Sequence, residues 1–146
     1  MILFARYLSE TLKGMLFMRK FSNEDICDKL SMILESIDII ERRTVGISSG
    51  FDFMTSFERV TLFDSCVLRL QVIGEEVGKL MRIAESELSR HPEIPWQQIY
   101  SMRNFISHEY SHVDEDIVFQ VINDDLPPLK VAVKGILERL TEDNRE

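Results

Sequence analysis

The sequence predicts an all-α fold, an up-and-down bundle of about five helices with an N-terminal helical extension. Three observations point there. Apolar residues recur at spacings of three and four through most of the chain, the repeat of a helix that buries one face. No segment alternates apolar and polar residues with the period of two that a half-buried strand needs. Glycine and proline together take only ten of 146 positions, and most of these fall where a periodic run stops.

Residues 1–20 keep helical spacing through Phe4, Leu8, Leu12 and Met15 or Leu16, while Arg6, Glu10 and Lys13 interrupt any secretory apolar run. The expectation is a helical arm, residues 1–19, lying on the bundle or on a partner, ahead of a helical domain at 20–146. An over-extended start upstream of Met18 and a membrane-surface helix are the alternatives, the second because the segment carries net +3. Ser22 then has the character of an N-cap, with Asp25 three residues on completing an acidic capping box. Ile26, Leu30, Ile33, Ile37 and Ile40 follow as one stripe, predicting a helix over 23–43. The stretch 44–56, rich in Gly, Ser and Thr, reads as a loop or short turn.

A long helix is expected from Ser56 or Phe57 to His91-Pro92, with Phe63, Val67, Leu70, Val77, Met81, Ala84 and Leu88 on one face. Gly74 and Gly78 lie inside it, each costing about 1 kcal/mol against alanine. Close approach of another helix would compensate, and the expected neighbour is the helix carrying Arg103. That helix, about 95–111, opens on Pro95 and buries Trp96, Ile99, Met102 and Ile106. A short helix follows from Asp114 or Asp116 through Ile122. The last begins near Asp125 with Pro127 and Pro128 in its first turn, buries Leu129, Val133, Ile136 or Leu137 and Leu140, and frays over 141–146.

At this length one domain can bury a sizeable core, and 45% apolar with 29% charged residues is a globular mix. A net charge of −8 argues against a non-specific nucleic-acid coat but leaves room for a local cationic pocket. Cys27 and Cys66 are far apart with no CxxC, and are expected as reduced thiols in the cytoplasm. No run approaches the ~20 apolar residues of a membrane span, so no membrane partner is expected.

The chemistry concentrates in 103–110, RNFISHEY. Histidine titrates near neutrality and serves as general acid or base, and arginine holds phosphate. On a helix Arg103 and Tyr110 share a face, Asn104 and His108 share another about 100° round, and Arg103 and His108 stand about 140° apart. These groups can border one groove only where it wraps the helix, which favours a site formed between two such helices. An ordinary exposed Arg and His, paired with Glu109 or Glu75, is the plain alternative. His108-Glu109-Tyr110-Ser111-His112 also spells H-E-x-x-H, the zinc-hydrolase signature, but with His112 near the helix end and no clear third ligand beyond Asp114–Asp116.

The octapeptide, with LQVIGEEVGKL at 70–80, IPWQQI at 94–99 and DDLPPL at 124–129, resembles the HEPN superfamily and within it the HepT-like toxins. The resemblance runs from about 20 to 140, carried by R-x4-H-x-Y. It implies a helical homodimer with two R-x4-H motifs facing across a cleft, and a metal-independent ribonuclease needing no cofactor that acts as the toxin of a type VII-like toxin–antitoxin pair. His108 would be general base or acid toward the RNA 2′-hydroxyl, Arg103 would bind the scissile phosphate, and Asn104 would orient the phosphate or His108. Tyr110 matches the tyrosine that a cognate minimal nucleotidyltransferase antitoxin modifies with AMP. Some similar domains bind a nucleotidyltransferase without cleaving RNA, which is the alternative the resemblance leaves. Glu75 and Glu76 stand near the motif with no role assigned.

Overall fold

The structure is a computed structural model and describes residues 1–16, 22–109, 111 and 113–145. The regular structure of the described residues is all helical, without strands: α1 (Ile2–Leu16), α2 (Asn23–Arg43), α3 (Phe57–Ile83), α4 (Glu85–Leu88), α5 (Trp96–Glu109), α6 (Glu115–Gln120) and α7 (Leu126–Asp143). The centre is α3, which packs against α2 on one side and α5 on another, while α2 also packs against α7.

The capping box at the start of α2 forms as the sequence predicts. The Asp25 backbone N–H donates to the Ser22 hydroxyl, and the Ser22 backbone N–H donates to the Asp25 carboxylate at 2.9 Å. Its stripe is core: Leu30, Ile33, Ile37 and Ile40 are fully buried, against Val67, Leu70, Ile73 and Val77 of α3 and Leu129, Val133 and Ile136 of α7. Lys130 of α7 reaches across to Asp38 at 2.8 Å and Glu41 at 2.7 Å, tying α7 to α2 at the surface.

Three features differ from the expectation. The long helix stops at Ile83 rather than His91, because Ala84 leaves helical geometry at φ −138° while still donating its N–H to the Leu80 carbonyl. The break re-aims α4, so that Leu88 buries, Glu87 pairs with Arg139 of α7, and the Trp96 indole N–H donates to the carbonyls of Leu88 and His91. Within the expected loop, Phe51–Met54 makes a 3₁₀ turn that sinks Phe53 into the core edge-on to Phe63, with the carboxylate of Asp52 accepting the N–H groups of Ser48 and Ser49. The short helix and the last one are continuous, joined by a wide π turn at Val121–Asp125.

Of the two placements expected for the N-terminal arm, its own bundle is not the one observed. Every α1 side chain from Ile2 to Leu12 is exposed, including Phe4, Tyr7 and Leu8. Among the described residues no helix is long and apolar enough to cross a membrane.

Candidate active site on helix α5

Helix α5 starts with the Ile99 N–H bonded to the Pro95 carbonyl, the Trp96 ring anchored by its two hydrogen bonds, and Ile106 buried below. Its approach to α3 is the close one the glycines imply. A Cβ added at Gly74 would lie 2.9 Å from the Ile99 carbonyl oxygen and 3.0 Å from the Arg103 Cβ, and one at Gly78 would lie 2.3 Å from the Tyr100 ring. The Gln71 side-chain amide donates to the Ser107 hydroxyl at 2.9 Å and fixes the same seam one turn on. Arg103 therefore leaves α5 directly over the α3 backbone.

Arg103 is half-buried there and has no hydrogen-bond or ion-pair partner among the described residues. Asn104 and His108 are exposed on the part of α5 turned away from α3, and His108 likewise has no partner among the described residues. Of the two carboxylates considered as partners, Glu75 is exposed and pairs with neither group among the described side chains, while the Glu109 side chain lies outside the described residues; the adjacent Glu76 is buried against Lys79 at 3.0 Å. Around the motif, Phe105 and Leu68 expose about half of their surfaces, at 49% and 59%. Among the described residues the arrangement offers a guanidinium without a partner at a helix seam and an exposed imidazole on the same helix. It does not close both around one point within a single chain.

Tyr110 and His112 lie outside the described residues, as does the Glu109 side chain, so the tyrosine and the H-E-x-x-H spacing have no geometry to report. Asp114, one of the acids considered as a third zinc ligand, is engaged otherwise, its carboxylate accepting the N–H groups of Asp116 and Ile117 at the start of α6. Among the described residues no group of three His, Cys, Asp or Glu stands in metal-binding geometry.

A cavity of about 330 Å³ opens on another side of α5, with Ile73, Ile99, Met102 and Leu129 in its floor and Glu93 and Asp125 at its rim. Arg103, Asn104 and His108 are not among its walls. Sequence reasoning missed this cavity, because its walls come from three segments far apart in the chain. Burial and the neighbouring Asp124 push the Asp125 carboxyl up, whereas Glu93 is held down by its own backbone N–H and by His91.

Residues 33–136 match the family described as ribonuclease HepT-like. The chain is 31% identical over 118 residues to a Methanocaldococcus jannaschii protein named "Gamma-glutamylcyclotransferase and putative RNase", covering 80% of this chain but only half of that protein's length. It is 31% identical over 110 residues to a "Putative RNase" of Caldanaerobacter subterraneus subsp. tengcongensis, covering 75% of this chain and 92% of that one. To the "Probable ribonuclease HepT" of Thermococcus cleftensis it is 33% identical over 104 residues, covering 70% and 87%. No solved structure matches it. A match over most of the chain, spanning the α3–α5 seam and the whole octapeptide, places it by descent as well as by helical architecture: the chain belongs to the HepT-like ribonuclease family.

Proposed function

We propose that the chain is a metal-independent endoribonuclease whose active site forms where Arg103 and His108 of two copies meet in a homodimer cleft. The observation that carries the reading is the state of the two side chains. Arg103 has no partner among the described residues over the α3 seam and His108 is exposed about 140° round the same helix, so among the described residues one copy offers both groups without joining them. A two-fold axis beside α5 would bring the missing half, and the exposed Phe105 and Leu68 supply apolar surface for it.

In this reading His108 takes the proton of an RNA 2′-hydroxyl. The 2′-oxygen then attacks phosphorus, and the bond to the 5′-oxygen breaks, the leaving oxygen taking a proton from solvent, to which His108 gives up the one it took. The products are a 2′,3′-cyclic phosphate and a 5′-hydroxyl end. Arg103 holds the phosphate and stabilises the charge that builds on its oxygens, and Asn104 orients the phosphate or the imidazole. As the toxin of a toxin–antitoxin pair in the cytoplasm, the chain would be silenced at Tyr110 by a minimal nucleotidyltransferase. The phenol oxygen attacks the α-phosphorus of ATP, pyrophosphate leaves and the phenol proton passes to the transferase, so that a bulky anion sits beside Arg103.

The test is cleavage of a defined RNA with chelator present. His108→Ala is expected to lose about 100-fold or more, the usual share of a general acid–base, and Arg103→Ala a comparable amount. Equal cleavage by His108→Ala and the unaltered chain would overturn the assignment. For Tyr110, incubation with the cognate transferase and ATP should add one AMP-sized increment to the intact mass, absent in Tyr110→Phe. The second reading, a non-catalytic helical partner of a nucleotidyltransferase, draws on the acidic balance of −8, which works against RNA. Tight transferase binding by a chain that cuts no RNA would favour it.

A further inference from the structure

We infer that the Ser107 hydroxyl, turned outward by Gln71 of α3, is a further phosphate-binding group of the α5 site, seated between Arg103 and the Asn104–His108 pair. The inference rests on the ribonuclease reading above and adds a residue to that site. With Arg103 taken as zero, Ser107 stands about 40° round α5, Asn104 about 100° and His108 about 140°. Ser107 therefore fills the gap between the half-buried guanidinium and the exposed imidazole. Side chains on a helix lean toward its N-terminus, which tips Ser107 over the turn that carries Arg103.

The hydroxyl is also free to donate. A serine or threonine in a helix or at its end commonly turns back onto the carbonyl four residues earlier. Thr44 does so to Ile40 at 2.8 Å, Thr61 to Phe57 at 3.1 Å and Ser89 to Glu85 at 2.8 Å. Ser107 does not. Its oxygen accepts the Gln71 amide N–H at 2.9 Å, a bond across the seam between residues 36 apart. A hydroxyl has one proton and two lone pairs. Accepting from Gln71 leaves that proton uncommitted, and among the described residues it is donated to no group. Ser107 is exposed, so the proton is offered toward the side of α5 that carries Asn104 and His108. The non-bridging oxygens of a phosphodiester gather charge as the 2′-oxygen adds, and each gains from a fixed donor. A neutral hydroxyl can stand beside a guanidinium without repelling it, so Arg103 and Ser107 can hold one phosphate together. Gln71 is then a positioning residue that acts through Ser107, since its amide nitrogen can only donate and keeps the serine proton for the ligand.

The test is single-turnover cleavage of an RNA with one scissile linkage, carrying there an ordinary phosphate or one with either non-bridging oxygen replaced by sulfur. Ser107→Ala should slow cleavage of the ordinary RNA roughly 10- to 100-fold while affinity changes less than about threefold, because the donor acts on charge that builds in the transition state. Gln71→Met should give a smaller loss, and the two changes together should be no slower than Ser107→Ala alone, as both act through one hydroxyl. Sulfur accepts hydrogen bonds weakly. One of the two sulfur-substituted RNAs should therefore slow the unaltered chain more than it slows Ser107→Ala, which a serine that only braced the seam would not produce. Alanine at this exposed helical position should leave the thermal midpoint in place. Cleavage by Ser107→Ala within about twofold of the unaltered chain, additive losses in the double variant, or equal sulfur effects in the two chains would each overturn the inference and leave the ribonuclease reading standing. Cleavage indifferent to His108→Ala would instead remove that reading, and this inference with it.

Discussion

Cys66 illustrates how far burial alone sets a residue's chemistry. It is 1% exposed and burial pushes its thiol up to about 11, so almost none is thiolate at neutral pH. Cys27 is half-buried, and burial with the nearby Asp28 raises it too, but by less. In a native alkylation time course read by mass spectrometry, Cys27 should label first and Cys66 only on unfolding. Gly74 shows the same dependence on surroundings in steric form. Alanine there gains helix propensity of about 1 kcal/mol, but its Cβ would sit 2.9 Å from a backbone carbonyl that cannot swing away. Gly74→Ala should therefore be a net loss of about 1–3 kcal/mol in urea unfolding. It should also lower RNA cleavage by moving Arg103. Gly78→Ala meets a tyrosine ring, which can yield more readily, and should be the milder change.

Among the elements, α1 and the α2–α7 pair behave in opposite ways. Removing residues 1–17 takes away side chains that are exposed where described, so cooperative thermal unfolding should persist with a similar midpoint. Loss of cooperativity would show the arm to be core. Lys130 by contrast links two core helices through Asp38 and Glu41. Its hydrogen bond and charge hold the Asp38 carboxyl below the usual carboxylate range. A group depressed in the folded state contributes stability above its unfolded pKa and loses it as pH falls through the folded one. Lys130→Met should thus unfold more easily at pH 7, by less than about 1 kcal/mol since the pair is partly exposed. The difference should shrink below about pH 4, where Asp38 takes up its proton in the unfolded chain. Denaturant midpoints at the two pH values check it.

For the whole molecule, the acidic body limits how RNA can be held. Binding must rest on a few arginines, so the apparent KM for RNA should rise steeply between low and physiological salt. The cleft reading makes a sharper demand. Arg103→Ala and His108→Ala, each inactive alone, should regain part of the activity when mixed and allowed to exchange, since one of the two sites in a mixed dimer then holds both groups. Failure to complement in chains shown to exchange would place both groups of each site on one copy.

Helices were readable from the sequence because their hydrogen bonds and apolar stripes are local. The stripe of Ile26 to Ile40, the Ser22 capping box and the proline start of α7 all stand as predicted. Even the neighbour of Gly74 and Gly78 was inferable, since small residues inside a helix need a reason and the helix of Arg103 was the natural one. The family was legible too, in the order of its short motifs. Only the tertiary structure decided what depends on groups distant in the chain. It set the break at Ala84, which lets α4 reach α7 and Trp96, and the burial of Phe53 from an apparent loop. It opened the cavity between α5 and α7, and it left α1 with its apolar face in solvent. The R-x4-H stretch could be recognised in one dimension. That Arg103 faces the α3 seam while His108 faces solvent is a consequence of how α5 packs, and packing is settled by side chains from the whole fold at once.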